Sequence, residues 1–399
     1  MKAKSRTILT LNGGSSSIRF GLYRVGDALE LKLNGKLDRI GFDTPRLNFK
    51  GEDGITHRQE CERATDYSLA VAALLAWLDQ QKVFESLSAV GHRIVHGMHH
   101  TVPERVTQAL MDELQRIVPV APGHLPGAIE LIEALRSRTP ELPQIACFDT
   151  AFHQHMPRVA AMLAIPRRFS SQGIQRYGFH GLSYAYLMEE LGRCAGQAAA
   201  HGRVILAHLG NGASMAAVKD GVSIDTSMGF TPASGLPMGT RSGDLDPGLV
   251  AYLARSEQMT PAQFDAMINH ESGLLGVSET SSDMGDLLAI EETDPRAAEA
   301  VALFCYQAKK QLGAYAAALG GLDTLVFAGG IGENAAIVRE RICAGLGFLG
   351  LALDASRNAA SADVISSDAS RVCVRVIRTD EELMIARSVC RVLGHNLGT

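Results

Sequence analysis

The chain has 399 residues, 46% of them hydrophobic and 20% charged, with a formal net charge of -5. This is a globular profile long enough for roughly two or three domains of ~100–200 residues each. It excludes a global field that would recruit nucleic acid or anionic membrane, and no run of about 18 apolar residues offers a membrane span. Met1 to Arg6 is basic but leads into a short strand rather than an apolar segment, so no signal peptide is expected. The seven cysteines include no C-x-x-C pair. That suits reduced thiols in a cytoplasmic protein better than a disulfide framework or a zinc site.

The first element is Leu9-Thr10-Leu11-Asn12-Gly13-Gly14-Ser15-Ser16-Ser17-Ile18-Arg19-Phe20, which reads as strand, tight turn, strand. Such a Gly/Ser turn can wrap its N–H groups around a phosphate. Taken alone, an ordinary polar hairpin accounts for it as well. It lacks the spacing of a P-loop, and no helix follows. A Gly26-Asp27 turn and a third strand near Leu29 to Leu33 come next, and 37–62 reads as loop with short strands. Residues 66–83 carry apolar side chains at helical spacing (Leu69, Ala72, Ala73, Ala76, Trp77). Ala89 to Gly97 reads as a strand bearing His92, Arg93 and His96, and Thr107 to Ile117 as a helix. The stretch 118–127 is too rich in Pro and Gly for anything but loop. A helix to about Ser137 and a buried strand, Gln144 to Phe148, follow, with Asp149 at the strand's C-terminal end.

The second half repeats the logic. Val204 to Val218 is again strand, Gly/Asn/Ser turn, strand, followed by an Asp220-Gly221 turn and a third strand, Val222 to Asp225. Asp294-Pro295 caps and opens a long helix that closes at Gly320-Gly321. Leu325 to Ala328 is a strand entering a second glycine-rich turn, Gly329 to Asn334. Val372 to Ile377 is a last strand. Thr379 starts a C-terminal helix, with Glu382 three residues on completing a capping box. Two copies of three strands followed by alternating helices and strands suggest two α/β domains facing each other. A nucleotide would lie between them, with a turn from each domain at its phosphates.

These motifs run in order with Gly91-His92-Arg93-Ile94-Val95-His96-Gly97, Phe148 to His153, Arg176-Tyr177-Gly178-Phe179-His180-Gly181, Asp225 to Pro232 and Met238 to Pro247. Over nearly the whole chain the pattern resembles the acetate kinase family, within the superfamily of acetate and sugar kinases, heat-shock chaperones and actin. The resemblance implies an α/β fold of two duplicated actin-like ATPase (ribonuclease H-like) domains facing across a nucleotide cleft. The first would span 1–150, completed by a C-terminal helix 383–399. The second, 151–382, would bind nucleotide and dimerise. The implied reaction is reversible, ATP-dependent phosphorylation of acetate to acetyl phosphate by direct in-line transfer, with domain closure excluding water.

A carboxylate is already ionised at neutral pH and needs no general base; it needs placement and cover for charge between two anions. Arginine suits that task. The resemblance assigns Arg93 to the carboxylate, Arg241 to the transferring phosphoryl and His180 to a phosphoryl oxygen in the transition state. Asp149 is expected to orient the substrate arginine or the metal's waters. Asn12 and Glu381 are implied on the side of a Mg²⁺ ion (Mn²⁺ being possible), with Glu382 expected to be occupied at the helix start. The ATP or ADP co-substrate is implied at His208, Leu209, Gly210, Asn211 and Gly212, at Gly330, Ile331, Gly332, Glu333 and Asn334, and at Asp283, Met284 and Gly285. Arg19 replaces a family lysine and keeps its charge. The remaining histidines show no H-E-x-x-H spacing; His92, His96, His99, His100, His153 and His155 are expected to line the cleft or serve as surface polar residues.

Departures from the family pattern concern specificity. Gly285 stands where an arginine able to lie against the base is usual, which bears on nucleotide preference. Gly123 and Leu125 replace leucine and asparagine, and Leu182, Tyr184 and Ser234 replace threonine, histidine and glutamate. Val95, Phe179 and Pro232 are expected to wall the acid's methyl pocket. Gly123 should enlarge that pocket unless Leu125 refills it, which makes propionate, butyrate or a larger short acid an alternative substrate. An alternative of another class is a nucleotide-switched chaperone or filament protein on the same fold. Partners are expected to be small molecules and a second copy of the chain, with neither nucleic acid nor membrane.

Overall fold

A computed structural model of the chain describes residues 6–14, 16–41, 44–61 and 64–395; Ser15, in the middle of the opening turn, and residues 396–399 of the expected C-terminal helix lie outside them. The chain forms two compact units, Met1–Ala151 with Asp380–Thr399, and Phe152–Thr379.

In the first unit the strands are β1 (Thr7–Gly13), β2 (Ser17–Val25), β3 (Leu29–Asp38), β4 (Arg46–Lys50), β5 (Thr56–Glu60), β6 (Leu87–Ile94), β7 (Glu104–Arg105) and β8 (Gln144–Phe148). They form one sheet in the order β5-β4-β3-β2-β1-β6-β8-β7. β1 is antiparallel to β2 and parallel to β6, so it is central and all seven of its residues are buried. The helices Tyr67–Gln80 and Leu125–Arg138 pack over Leu9, Leu11, Phe20 and Val90, with Leu74, Trp77, Leu78 and Leu131 filling the layer. Asp66 caps the first of these by accepting from Leu69 N, and Thr107 caps Gln108–Arg116 by accepting from Leu110 N.

The second unit has β9 (Arg203–Leu209), β10 (Ala213–Lys219), β11 (Val222–Thr226), β12 (Thr324–Ala328) and β13 (Cys373–Val376), ordered β11-β10-β9-β12-β13. β9 is antiparallel to β10 and parallel to β12. This is the same arrangement as β3-β2-β1-β6-β8, so the duplication suggested by the two hairpins extends to pairing and direction. Gly181–Ala195 packs Tyr184, Leu187 and Leu191 on one face of this sheet against Val204, Leu206 and Val326. The long helix Pro295–Leu319 is capped by Asp294 and closed by Gly320 in the left-handed conformation (φ 71°), as its sequence signals require.

Several boundaries differ from the sequence reading. β3 continues to Asp38 because β4 pairs with it, a non-local partner that no local pattern announces. The strand through His92 and Arg93 ends at Ile94. The Pro/Gly stretch 118–127 contains a turn of 3₁₀ helix, and the next helix already begins at Leu125, with Pro126 in its first turn, where a missing N–H costs nothing. Gly329–Asn334 is a short helix rather than a turn. The C-terminal helix Glu381–Leu393 is capped by Asp380, which accepts from Leu383 N, so the expected Thr379/Glu382 capping box does not form. His92 and His153 are core residues, bonded to Gln144 and to Ser223 with the Phe179 carbonyl, rather than cleft lining. All seven cysteines are free thiols, and no helix among the described residues is long and apolar enough to cross a membrane.

Candidate functional site

Polar groups gather at one place in each unit, and in both they sit where the first hairpin turns. In the first unit the centre is Arg93, on buried β6. Its Nε and Nη2 both donate to Asp149 Oδ2, at 2.9 and 2.5 Å, and its Nη1 donates to Asn12 Oδ1 at 3.1 Å. Asp149 is wholly buried, so the guanidinium is aimed by a fixed carboxylate. Burial alone would lower the pKa of Arg93, but the carboxylates of Asp149, Glu381 and Glu382 raise it, and the charge is permanent. The guanidinium keeps N–H capacity beyond these bonds, enough for one edge of an anion.

Asn12, at the end of β1, links Arg93 to two acids. Its Nδ2 donates to Glu381 Oε2 at 2.9 Å and to Glu382 Oε1 at 3.2 Å. Glu382, freed from the capping role, therefore joins the set and was missed by sequence reasoning, because an acid three residues after a threonine is an adequate cap signal. Burial, then the neighbouring Glu381 charge, raises the Glu382 pKa. Two carboxylates and an amide held this close offer hard oxygen donors of the kind that hold Mg²⁺ with several waters retained. Arg19 is exposed on β2 and lowers the Glu382 pKa through its charge. Val95 is buried. Gly123 is exposed, and a Cβ there would meet nothing within 4 Å. Leu125 does not turn to refill that space: it is fully buried beside Ile94, Leu114 and Phe148.

In the second unit the centre is Gly212, in the turn between β9 and β10. A Cβ at Gly212 would lie 3.3 Å from His180 Nε2 and 3.7 Å from Arg241 Nη1, so both groups flank bare backbone. His180 adopts a left-handed conformation (φ 58°) immediately before Gly181–Ala195. It is held there by Ser214 Oγ, 2.8 Å from its Nδ1, and by stacking on His208, with ring centroids 4.2 Å apart. Tyr184, one helical turn on, is hydrogen-bonded to the same Ser214 Oγ. Arg241 Nη1 donates to the Pro232 carbonyl at 3.4 Å. Phe179 is buried and Pro232 half-buried.

The expected nucleotide residues gather around the same turn. Gly210 N donates to the Gly212 carbonyl, and a Cβ on Gly210 would lie 3.6 Å from Gly330 N. The backbone of this turn therefore comes close to the start of helix Gly329–Asn334. Gly329 has φ 75°, and a Cβ there would sit 2.7 Å from the Leu209 carbonyl, so only glycine permits the approach. Glu333 Oε1 accepts from Gly329 N and Thr379 N. Asn334 Nδ2 donates to the Gly330 carbonyl. Gly239 lies between the Asn211 side chain and the Ser282 carbonyl, which brings the segment ending at Met284 and Gly285 to the turn. Asp283 accepts from Gly285 N and Asp286 N and so caps the helix Met284–Ile290. Arg339, fully buried, donates to the Gly332 and Glu333 carbonyls and was not foreseen. Ser234 accepts from Gly229 N; the Leu182 replacement has no explanation here beyond packing.

Two sheets that share one five-strand order, each with a polar hairpin turn beside an arginine-bearing set, define a phosphotransferase of the actin-like ATPase fold. A family model described as the Acetokinase family matches residues 7–387, and the chain belongs to that family. It is 47% identical over 395 residues, 97% of this chain and 98% of the relative, to an acetate kinase of Rhodopseudomonas palustris. The Porphyromonas gingivalis acetate kinase structure superposes with a TM-score of 0.87 at 36% identity, covering 98% of this chain and 100% of that one. A propionate kinase from Francisella tularensis gives 0.89 at 37% identity, covering 96% and 98%. The family's members are phosphotransferases with a carboxyl group as acceptor.

Proposed function

We propose that the protein transfers the γ-phosphoryl of ATP, reversibly and in line, to the carboxylate of acetate or a close homologue, making an acyl phosphate. The observation that carries this reading is the flanking of Gly212 by His180 Nε2 and Arg241 Nη1. Two donors beside open backbone suit a transferring phosphoryl, whose charge lies on its equatorial oxygens. Arg93, fixed by Asp149 and Asn12, holds the acid's carboxylate in a set orientation. Asp149 is a positioning residue for Arg93. The backbone of 208–212 and 330–334 receives the nucleotide, with Asp283, Met284 and Gly285 on its base side.

Asn12 and Glu381, with Glu382 beside them, are assigned to Mg²⁺, or Mn²⁺ in its place. The ion supplies charge neutralisation at the phosphates. The Asn12 amide donates to both carboxylates and orients them. The exposed Leu249, Val250 and Tyr252 of helix Gly248–Ser256, with Leu303 and Tyr306 of Pro295–Leu319, provide apolar surface for a homodimer, and a cytoplasmic location fits the free thiols. Propionate is the second reading, favoured by the space around Gly123 and by the propionate kinase among the similar structures.

Hydroxylamine trapping of acyl phosphate, with ATP and a series from acetate to larger acids, tests the proposal. Product is expected with acetate and propionate. If no acid yields product while peptides stimulate ATPase or the protein polymerises, a chaperone or filament role replaces it.

A further inference from the structure

Away from both of these sets, the loop after β6 carries His99 and His100, and their Nε2 atoms converge on Glu113 of helix Gln108–Arg116. His99 Nε2 is 2.8 Å from Glu113 Oε1, and His100 Nε2 is 3.1 Å from Glu113 Oε2. The three ligand atoms lie within 4.8 Å of one another. The His100 ring is clamped between the Phe148 ring, stacked at 5.1 Å, and the His99 ring at 5.0 Å.

His100 Nδ1 is hydrogen-bonded to Glu104 Oε1 on β7, and a carboxylate only accepts, so the proton of a neutral ring sits on Nδ1. Nε2 then presents a lone pair toward a second carboxylate. It is buried and has no hydrogen-bond partner, although Glu113 Oε2 lies 3.1 Å away. Nε2 of His100 and Oε2 of Glu113 are 3.1 Å apart and, with Nε2 of His99, close enough together to ligate one cation.

From this we infer a divalent transition-metal site at His99, His100 and Glu113, fitted to Zn²⁺. Two imidazoles and a carboxylate are zinc ligands, and Glu104 on the far nitrogen of His100 is the outer partner that orients a ligating histidine. His99 is mostly exposed, which leaves a fourth position open to water. Arg116, itself exposed, reaches Glu113 Oε1 at 3.2 Å and can swing into solvent when a metal takes that oxygen. The ion would tie the loop after β6 to the helix Gln108–Arg116 and so brace the first unit. It is separate from the Mg²⁺ assigned to Asn12 and Glu381.

The test uses the full chain, stripped with EDTA and kept in saturating Mg²⁺. Zn²⁺ titration by calorimetry should show one equivalent bound and a raised Tm, and Co²⁺ should give tetrahedral d–d bands. Affinity should fall 10–100-fold in Glu104→Gln, whose partner only orients His100. Zn²⁺ binding should be lost in His99→Ala and Glu113→Gln, with kcat in zinc-free buffer unchanged. A thiolate-to-cobalt charge-transfer band, assigning the metal to cysteine, would overturn the inference. So would binding that survives His99→Ala, or no binding to the wild-type chain.

Discussion

Tyr184 Oη and Ser214 Oγ are hydrogen-bonded inside the second unit, and Ser214 Oγ is in turn 2.8 Å from His180 Nδ1. Tyr184 is wholly buried and reaches Ser214 from the helix that His180 begins. The tyrosine stands where the family usually has histidine. Through Ser214 it positions His180, the residue assigned to the phosphoryl group. Tyr184→Phe is expected to lower kcat about 3–10-fold, since one neutral hydrogen bond is worth ~0.5–1.5 kcal/mol. Both KM values should stay near wild type. Steady-state kinetics with each substrate varied in turn check this; an unchanged kcat would make Tyr184 a packing residue only.

Arg93 and Asp149 form an ion pair in which the acid is fully buried. Removing one partner strands the other. Arg93→Met is expected to destabilise the fold by about 3–5 kcal/mol and abolish acid binding. Arg93→Lys keeps the charge but loses the fork, so stability should largely recover while KM for the acid stays raised. Urea denaturation and acid-dependence of turnover separate the two effects.

Gly123 sets out a specificity test. A side chain there enters open space, so Gly123→Leu folds without strain. If the site borders the acid, the ratio of kcat/KM for propionate to that for acetate should drop about tenfold, within the ~1–3 kcal/mol that a methylene-sized change in an apolar pocket commands. An unchanged ratio would remove Gly123 from the pocket.

His92 and His153 give the fold a pH dependence. Burial lowers each pKa to about 4, from an ordinary value of 6.5. The unfolded chain therefore binds more protons between these values, and stability falls as pH drops from about 6.5 toward 4. Each residue contributes up to about 3 kcal/mol across that window, at 1.36 kcal/mol per pKa unit. Denaturation midpoints from pH 7 to pH 4.5 should decline accordingly, and His92→Gln should flatten the slope.

Arg339 braces the segment 330–334 assigned to the nucleotide. Besides the Gly332 and Glu333 carbonyls, it bonds Asn358 Oδ1, the Asn358 carbonyl and Ser361 Oγ. Arg339→Met leaves buried carbonyls unpaired and is expected to cost about 3 kcal/mol. It should raise KM for ATP more than KM for the acid, which kinetics with each substrate varied in turn will show.

What the sequence alone determined is local or paired by type. The alternation around Asn12 and around His208, the glycines that permit their turns, the Asp294-Pro295 cap and the Gly320 stop all act through neighbours a few residues away, so they read correctly in one dimension. The two hairpins also announced the duplication, because each is a short-range unit. Tertiary structure decided what long-range pairing controls. β3 gained its length from β4. Glu382 left its expected cap because Asp380 took that place, and Asn12 then claimed it across 370 positions of sequence. His100 and Glu113 were scattered polar residues until β6 and the helix Gln108–Arg116 brought them together. A capping signal or a lone histidine satisfies several environments equally well, and only the partner that packing delivers selects among them.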